Sequence, residues 1–129
     1  MKFRYLVDRQ PTTENNETLT RELRAGHSYG AVTLSQNNLF IRRGTRTYYI
    51  PYSDAQKIFR RVRSLHANIC CGDGDIEVDY LVVMADDREI AEISLPGRKA
   101  AKMLMEELKT ISPETDFAAP PRAAEPIEA

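Results

Sequence analysis

The sequence has little cysteine. Its 129 residues contain only Cys70 and Cys71, and the two are adjacent in the chain. A disulfide between sequence neighbours would close a strained ring and link no distant segments, which excludes a disulfide scaffold. Reduced thiols are the simpler interpretation, and they predict a cytoplasmic protein.

A long hydrophobic run and an excess of charge of one sign are also missing. The longest apolar run, Leu81 to Ala85, is far below the roughly 18 residues that a membrane-spanning helix requires. With 18 Lys and Arg against 19 Asp and Glu, the net charge of −1 favours neither nucleic acid nor a membrane as a partner. We therefore expect a protein that is not exported, binds no nucleic acid and has no integral membrane segment.

What the chain does contain is a series of short segments with strand character. Alternating apolar and polar residues predict strands in 3–7, 29–35, 39–43, 46–50, 76–85 and 89–95. Gly44-Thr45 and Asp86-Asp87 predict tight turns between neighbouring strands. Residues 68–75, which contain two glycines among polar residues, are predicted to form another turn.

Two segments fit more than one structure. In 11–26, Leu19 and Leu23 have the spacing of one helix face, but the polar composition favours a loop with a single helical turn. In 53–65, Ser53 and Gln56 form a capping-box pattern that predicts a helix, whereas 57–63 also alternates as a bent strand. The choice between strand and helix for 53–65 stays open.

An amphipathic helix is predicted from Arg98 to Thr110. The apolar residues that share its buried face are Ala101, Leu104, Met105, Leu108 and Ile111. Beyond Ser112, four of the seven prolines are mixed with Ala and Glu, a composition that buries too little apolar surface to offset its ordering entropy. We therefore predict one domain in residues 1–112 and a disordered tail in 113–129.

With 57–65 counted as a strand, this order of elements resembles the pleckstrin-homology-like (PH-like) fold. The hairpin from Leu39 to Tyr52 is similar to the central hairpin of bacterial PH-like domains, and to small bacterial proteins in which such a hairpin precedes a paired-cysteine turn. The resemblance covers residues 3–111. It implies a mainly β fold, a PH-like barrel or sandwich of about seven antiparallel strands capped by the C-terminal helix.

The resemblance transfers no ligand site. Eukaryotic PH domains that bind phosphoinositides carry a basic motif across their first two strands. Here Lys2, Arg4 and Arg9 are followed by the Glu-rich connection from Glu14 to Glu22. No ligand-binding residue is therefore carried over from that family.

One short region crowds metal-ligand residue types together, namely His66, Cys70, Cys71 and Asp73. Adjacent cysteines rarely converge on one zinc ion, and a second ligand pair is missing. The alternating acids from Asp73 resemble a calcium loop, but Val78 and Met84 stand where such a loop needs Gly and Glu. We predict no metal, no cofactor and no enzymatic activity, because a Cys-His nucleophile would also lack an orienting third residue. A thiol-based redox or enzymatic protein is the less favoured alternative.

Charge is segregated along the chain. Residues 42–63 hold seven cationic side chains against one acidic, and residues 73–92 hold eight acidic side chains against one cationic. The two groups could pair across neighbouring strands, or the cations could form a basic face for an acidic partner, with tyrosines adding contact area. Under the second interpretation the candidate partner-binding residues are Arg42, Arg43, Arg46, Tyr48, Arg60 and Arg61.

These observations predict a non-catalytic binding or assembly module with a protein or peptide partner. A peripheral binder of anionic lipid that uses the same cations is the alternative. Self-association into a homo-oligomer also stays open.

Overall fold

This computed structural model describes residues 2–12, 16–69 and 72–118. Within them the chain forms two β-sheets and two α-helices. Sheet 1 consists of β1 (Phe3–Tyr5), β2 (Pro11–Thr12), β3 (His27–Tyr29), β4 (Val32–Leu34), β5 (Asn38–Arg43) and β6 (Arg46–Pro51). Sheet 2 consists of β7 (Lys57–Ile69), β8 (Gly72–Ala85) and β9 (Arg88–Ser94). The helices are α1 (Asn16–Ala25) and α2 (Arg98–Ile111).

Most strands pair with their neighbours in sequence. Strands β3 to β6 form an antiparallel meander, and β7, β8 and β9 form another. The predicted turns at 44–45 and 86–87 are confirmed: Gly44 has a φ of 61°, and Asp86 and Asp87 have φ values of 54° and 62°. Glycine and aspartate adopt these left-handed conformations more readily than bulky residues. The exception to the meander is β1, which pairs in parallel with β6.

The prediction of a mainly β chain with a C-terminal helix is confirmed, but the count of about seven strands is not. The described residues form nine strands. One reason is Gly30, whose φ of 64° reverses the chain inside the predicted strand 29–35 and divides it into β3 and β4. The two sheets also do not close into a barrel, since no described strand of one sheet pairs with a strand of the other. Pro51 and a 3₁₀ turn at Tyr52–Asp54 lie between β6 and β7, where the chain passes from one sheet to the other.

In the segment 53–65, where strand and helix were both left open, the chain is a strand from Lys57 onward. Strand β7 pairs with β8 along its whole length, from Lys57 opposite Met84 to Ile69 opposite Gly72. This long ladder pairs one edge of β7 with β8, which outweighs the local helix pattern. The turn predicted for 68–75 is wrong for residues 68–69 and 72–75, which belong to β7 and β8. Residues 70–71 lie outside the described residues.

Helix α1 lies where the sequence predicted a loop that contains one helical turn. A helix of ten residues is too short to be stable by itself, so tertiary contacts must hold it. Leu19 and Leu23 pack on Phe3, Phe40 and Tyr49, which lie on one face of sheet 1. We call this group the small cluster.

The main core lies on the opposite face of sheet 1, between the two sheets and beneath α2. Ala101, Leu104 and Leu108 are fully buried there, which confirms the centre of the predicted apolar stripe, while Met105 and Ile111 are partly buried. Helix α2 contacts β3, β7 and β8 and therefore covers parts of both sheets.

The predicted domain boundary at residue 112 is followed by six described residues, and the last three of them contact β7 or the main core. Asp116 forms a parallel β-bridge with Lys57, and Phe117 packs against the main core. The tail prediction did not anticipate these contacts, because a single aromatic residue after Pro113 has no periodicity. Residues 119–129 lie outside the described part of the chain.

Candidate binding site

Besides its apolar packing, helix α1 is tied to the connection between β4 and β5 by the Glu22 carboxylate. Glu22 accepts hydrogen bonds from the Ser35 hydroxyl (2.7 Å), the Asn38 side-chain amide (3.1 Å) and the Asn37 backbone N–H (3.2 Å). Partial burial raises the pKa of Glu22, but these donors outweigh it and bring that pKa below its ordinary value. The charged form of Glu22 therefore holds the C-terminal half of α1 over the sheet.

A groove of about 500 Å³ opens between the C-terminal end of α1 and the face of sheet 1. We call it the Arg42 groove; its lining residues are Leu23, Ser28, Gly30, Ala31, Thr33, Phe40, Arg42 and Thr47. The Ser28 and Thr33 hydroxyls lie 2.8 Å apart and hydrogen-bond to each other. The groove thus combines an apolar floor, three hydroxyl groups and one cation, at a volume that suits a small ligand or a few side chains of a peptide.

Arg42 is the predicted site residue that lines this groove. It is exposed, it lies opposite Thr47 in the β5–β6 ladder, and its backbone N–H donates to the Ala31 carbonyl at 2.8 Å. Among the described residues no carboxylate lies within ion-pair distance of its guanidinium. Its backbone is fixed by two neighbouring strands while its charge stays available.

Arg43 and Arg46 lie opposite each other in the β5–β6 ladder, on the other face of sheet 1 from Arg42. Arg43 donates to the Glu92 carbonyl at 3.2 Å and so connects the hairpin to sheet 2. Arg46 is exposed and has no ion-pair partner in the described parts of the chain. Two like charges directly across a ladder repel each other, which favours an anion near this end of the hairpin.

Tyr48 offers little surface to a partner. Its side chain is 7% exposed and belongs to the main core. The Arg9 guanidinium lies over its ring at 5.9 Å and also donates to the Ile90 carbonyl at 2.9 Å. Its pattern in the sequence did not distinguish this inward position from an outward one.

Arg60 is engaged by a buried acid. Its guanidinium contacts the Asp79 carboxylate through two nitrogens, at 2.5 Å and 2.7 Å, and Asp79 is 5% exposed. A buried carboxylate needs such a partner because its desolvation is otherwise uncompensated. Arg60 is therefore committed to this ion pair within the protein.

Arg61 is held by two carboxylates of β9. It contacts Glu89 and Glu92, and Arg63 also reaches Glu92, at 2.8 Å. Hydrogen bonds to Glu89 raise the pKa of Arg61, and the same contact holds the pKa of Glu89 below its ordinary value. The six predicted residues are thus not brought together: Arg42 and Arg46 keep available charge on opposite faces of sheet 1, and Arg60 and Arg61 are paired within sheet 2.

The cysteine cluster singled out in the sequence falls largely outside the part of the chain that the structure describes. Cys70 and Cys71 lie outside the described residues, and so does the thiol chemistry that they could support. In the described remainder of the chain, no three metal-ligating side chains come together.

Of the residues that line the Arg42 groove, only Arg42 was predicted as a site residue; Leu23, Ser28 and Thr33 are among those that were not. Leu23 carried a usable signal, because its spacing from Leu19 matched a helix face. Ser28 and Thr33 carried none, since serine and threonine are common in strands and turns alike. Only the β3–β4 ladder, which places the two side by side, shows that they belong together.

No family model matches the chain, and neither a curated protein nor a solved structure shows significant similarity to it. None of the helices in the described parts of the chain is long and apolar enough to cross a membrane.

Proposed function

We propose that this chain is a non-catalytic, cytoplasmic binding module of the PH-like type that recognises an acidic segment of a protein or peptide through the Arg42 groove. The observation that carries the proposal is the exposed Arg42 side chain in a groove that also offers hydroxyl donors and apolar walls. Arginine suits planar, multidentate contact with a carboxylate, and a rigid strand reduces the entropy lost on binding.

The test compares two charge reversals on the same hairpin. Arg42→Glu places a negative charge in the groove, and Arg46→Glu makes the same change of charge on the opposite face of the sheet. Each full-length variant, and the wild type, would be used as bait in a native lysate, with the captured proteins quantified by mass spectrometry. We expect Arg42→Glu to lose a partner that Arg46→Glu retains, while both variants keep the wild-type melting temperature. Equal capture by all three baits would contradict the proposal.

A peripheral lipid binder is the second candidate, favoured by the three exposed arginines that flank the turn at 44–45. Anionic headgroups attract such a cluster without requiring a groove. Flotation with neutral vesicles and with vesicles containing phosphatidylserine separates the two candidates. Binding that needs the anionic lipid, falls with salt and is weakened equally by both charge reversals would favour the membrane.

A further inference from the structure

The residues after α2 return to sheet 2 and extend it. Asp116 pairs with Lys57 as a parallel bridge, and the Asp116 carbonyl accepts a hydrogen bond from the Ile58 N–H at 3.0 Å. Lys57 Nζ lies 3.0 Å from the Asp116 carboxylate and donates to the Ala118 carbonyl at 3.2 Å. The outer edge of β7 thus accepts an extended segment by strand addition, and its first lysine binds the acid of that segment.

A second groove, of about 470 Å³, lies beside this segment between β7 and α2. Phe117 forms one wall, Phe59 and Met105 supply further apolar surface, and the charged lining residues are Arg60, Lys102, Glu106 and Lys109. Asp79 neutralises Arg60, whereas in the described residues neither Lys102 nor Lys109 has a carboxylate at ion-pair distance. With Lys102 and Lys109 against Glu106, the β7–α2 groove keeps a net charge of +1 once Arg60 is paired, and its floor is aromatic.

The chain's own segment is attached by few contacts. One β-bridge joins it to β7, the partly buried Phe117 ring packs against the main core, and the Asp116 side chain is 50% exposed. A hydrogen bond from the Ala118 N–H, followed by the contact with Lys57, lowers the pKa of Asp116, so the residue binds as a carboxylate. Exposed ion pairs of this kind contribute little to stability, so a competing segment could displace this one.

We propose that the edge of β7 and the β7–α2 groove form a docking site for an extended partner segment in which an aromatic residue directly follows Asp or Glu. The segment adds parallel to β7, its carboxylate binds Lys57, its aromatic ring takes the place of Phe117 at the wall of the groove, and further acids face Lys102 and Lys109. Asp116 and Phe117 occupy part of this site as a self-ligand. The site is separate from the Arg42 groove, and the proposal does not depend on the function assigned to that groove.

The test uses the full chain and a labelled probe peptide, Glu-Thr-Asp-Phe-Ala, which copies residues 114–118. A variant with Asp116→Ala and Phe117→Ala removes the self-ligand. Because apparent affinity falls with the fraction of sites available, we expect the probe to bind this variant at least tenfold more tightly than the wild type. Adding Lys57→Glu to the variant should remove most of that binding, measured by fluorescence polarisation. A second probe with Glu and Tyr in place of Asp and Phe should bind comparably.

Two controls keep the proposal open to refutation if the double substitution disturbs folding. A probe with Ala in place of Asp and Phe should not bind, and a millimolar titration of the wild type with the original probe should shift the NMR signals of Ile58 and Lys102. Equal binding of the Ala probe, or no binding in both experiments, would overturn the proposal. A concentration-dependent wild-type dimer that Phe117→Ala abolishes would also overturn it, because the occupant would then be a second copy of the chain.

Discussion

The arginines of β7 and those beside the β5–β6 turn carry the same charge at similar density in the sequence, yet their surroundings differ. On β7, Arg60 and Arg61 lie within reach of carboxylates on β8 and β9. On the β5–β6 hairpin, Arg42 lies opposite Thr47, and Arg43 lies opposite Arg46. The density of charge in a sequence therefore does not tell which charge is available; the carboxylates that the folded sheets bring within reach, diagonally on β8 or one strand further on β9, decide it.

The largest loss of stability is expected for Arg60→Ala, on the β7 side of this comparison. Removal of Arg60 leaves the buried Asp79 carboxylate without its partner. Breaking a buried pair in this way should lower the free energy of unfolding by about 3 kcal/mol, measured by urea denaturation. The double variant Arg60→Met with Asp79→Leu should recover most of this loss, since no charge is then left buried. A loss below about 1 kcal/mol in Arg60→Ala would mean that water solvates Asp79.

A smaller loss of stability is expected for Arg61→Ala. Its guanidinium bridges Glu89 and Glu92 and lies 5.4 Å from the centre of the Phe59 ring, so the substitution removes ion pairs and uncovers an aromatic residue. The free energy of unfolding should fall by about 1 kcal/mol. Arg46→Ala is the matched control, and it should not destabilise the protein. Equal losses in both variants would abolish the contrast between the regions.

The contribution of Arg61 should also depend on pH. Because Arg61 lowers the pKa of Glu89 in the folded state, this contact stabilises the protein above the ordinary glutamate pKa of about 4.3, and the benefit is lost as the pH falls through the lower, folded-state value. The stability difference between wild type and Arg61→Ala should therefore be largest near pH 7 and shrink below about pH 4. The difference between wild type and Arg46→Ala should stay constant over the same range, which parallel urea titrations would check.

The smallest effect on stability is expected for Arg42→Ala. Its side chain is exposed, so the free energy of unfolding should change by no more than about 0.5 kcal/mol. If Arg42→Ala instead destabilises the protein as much as Arg61→Ala does, Arg42 contributes to the fold and the Arg42 groove loses its free cation.

The elements that the sequence predicted depend on neighbours along the chain. The apolar stripe of α2 repeats within one helix, and the turns at Gly44 and at Asp86-Asp87 need only two residues of the right conformational freedom. Segment 57–65 could not be settled in this way, because both of its patterns were locally acceptable and the long ladder with β8 decides between them.

The candidate sites were harder to predict because they depend on distant residues. Whether Arg60 is paired or available depends on Asp79, and the pairing follows from the β7–β8 register. Tyr48 points into the main core, while the neighbouring Tyr49 lies on the opposite face, in the small cluster. A shift of one residue in register would exchange these two roles, and a single sequence contains no measurement of that register.

The parallel pairing of β1 with β6 has a consequence for the order of folding. The β5–β6 and β8–β9 hairpins close over two-residue turns, whereas the contact of Phe3 with Thr47 closes a loop that spans most of sheet 1. Closing a long loop costs more chain entropy than closing a hairpin, so β1 should join after the meander has formed. Substitutions in β1, such as Phe3→Leu, should then speed unfolding and leave the folding rate nearly unchanged, as expected for contacts made after the transition state.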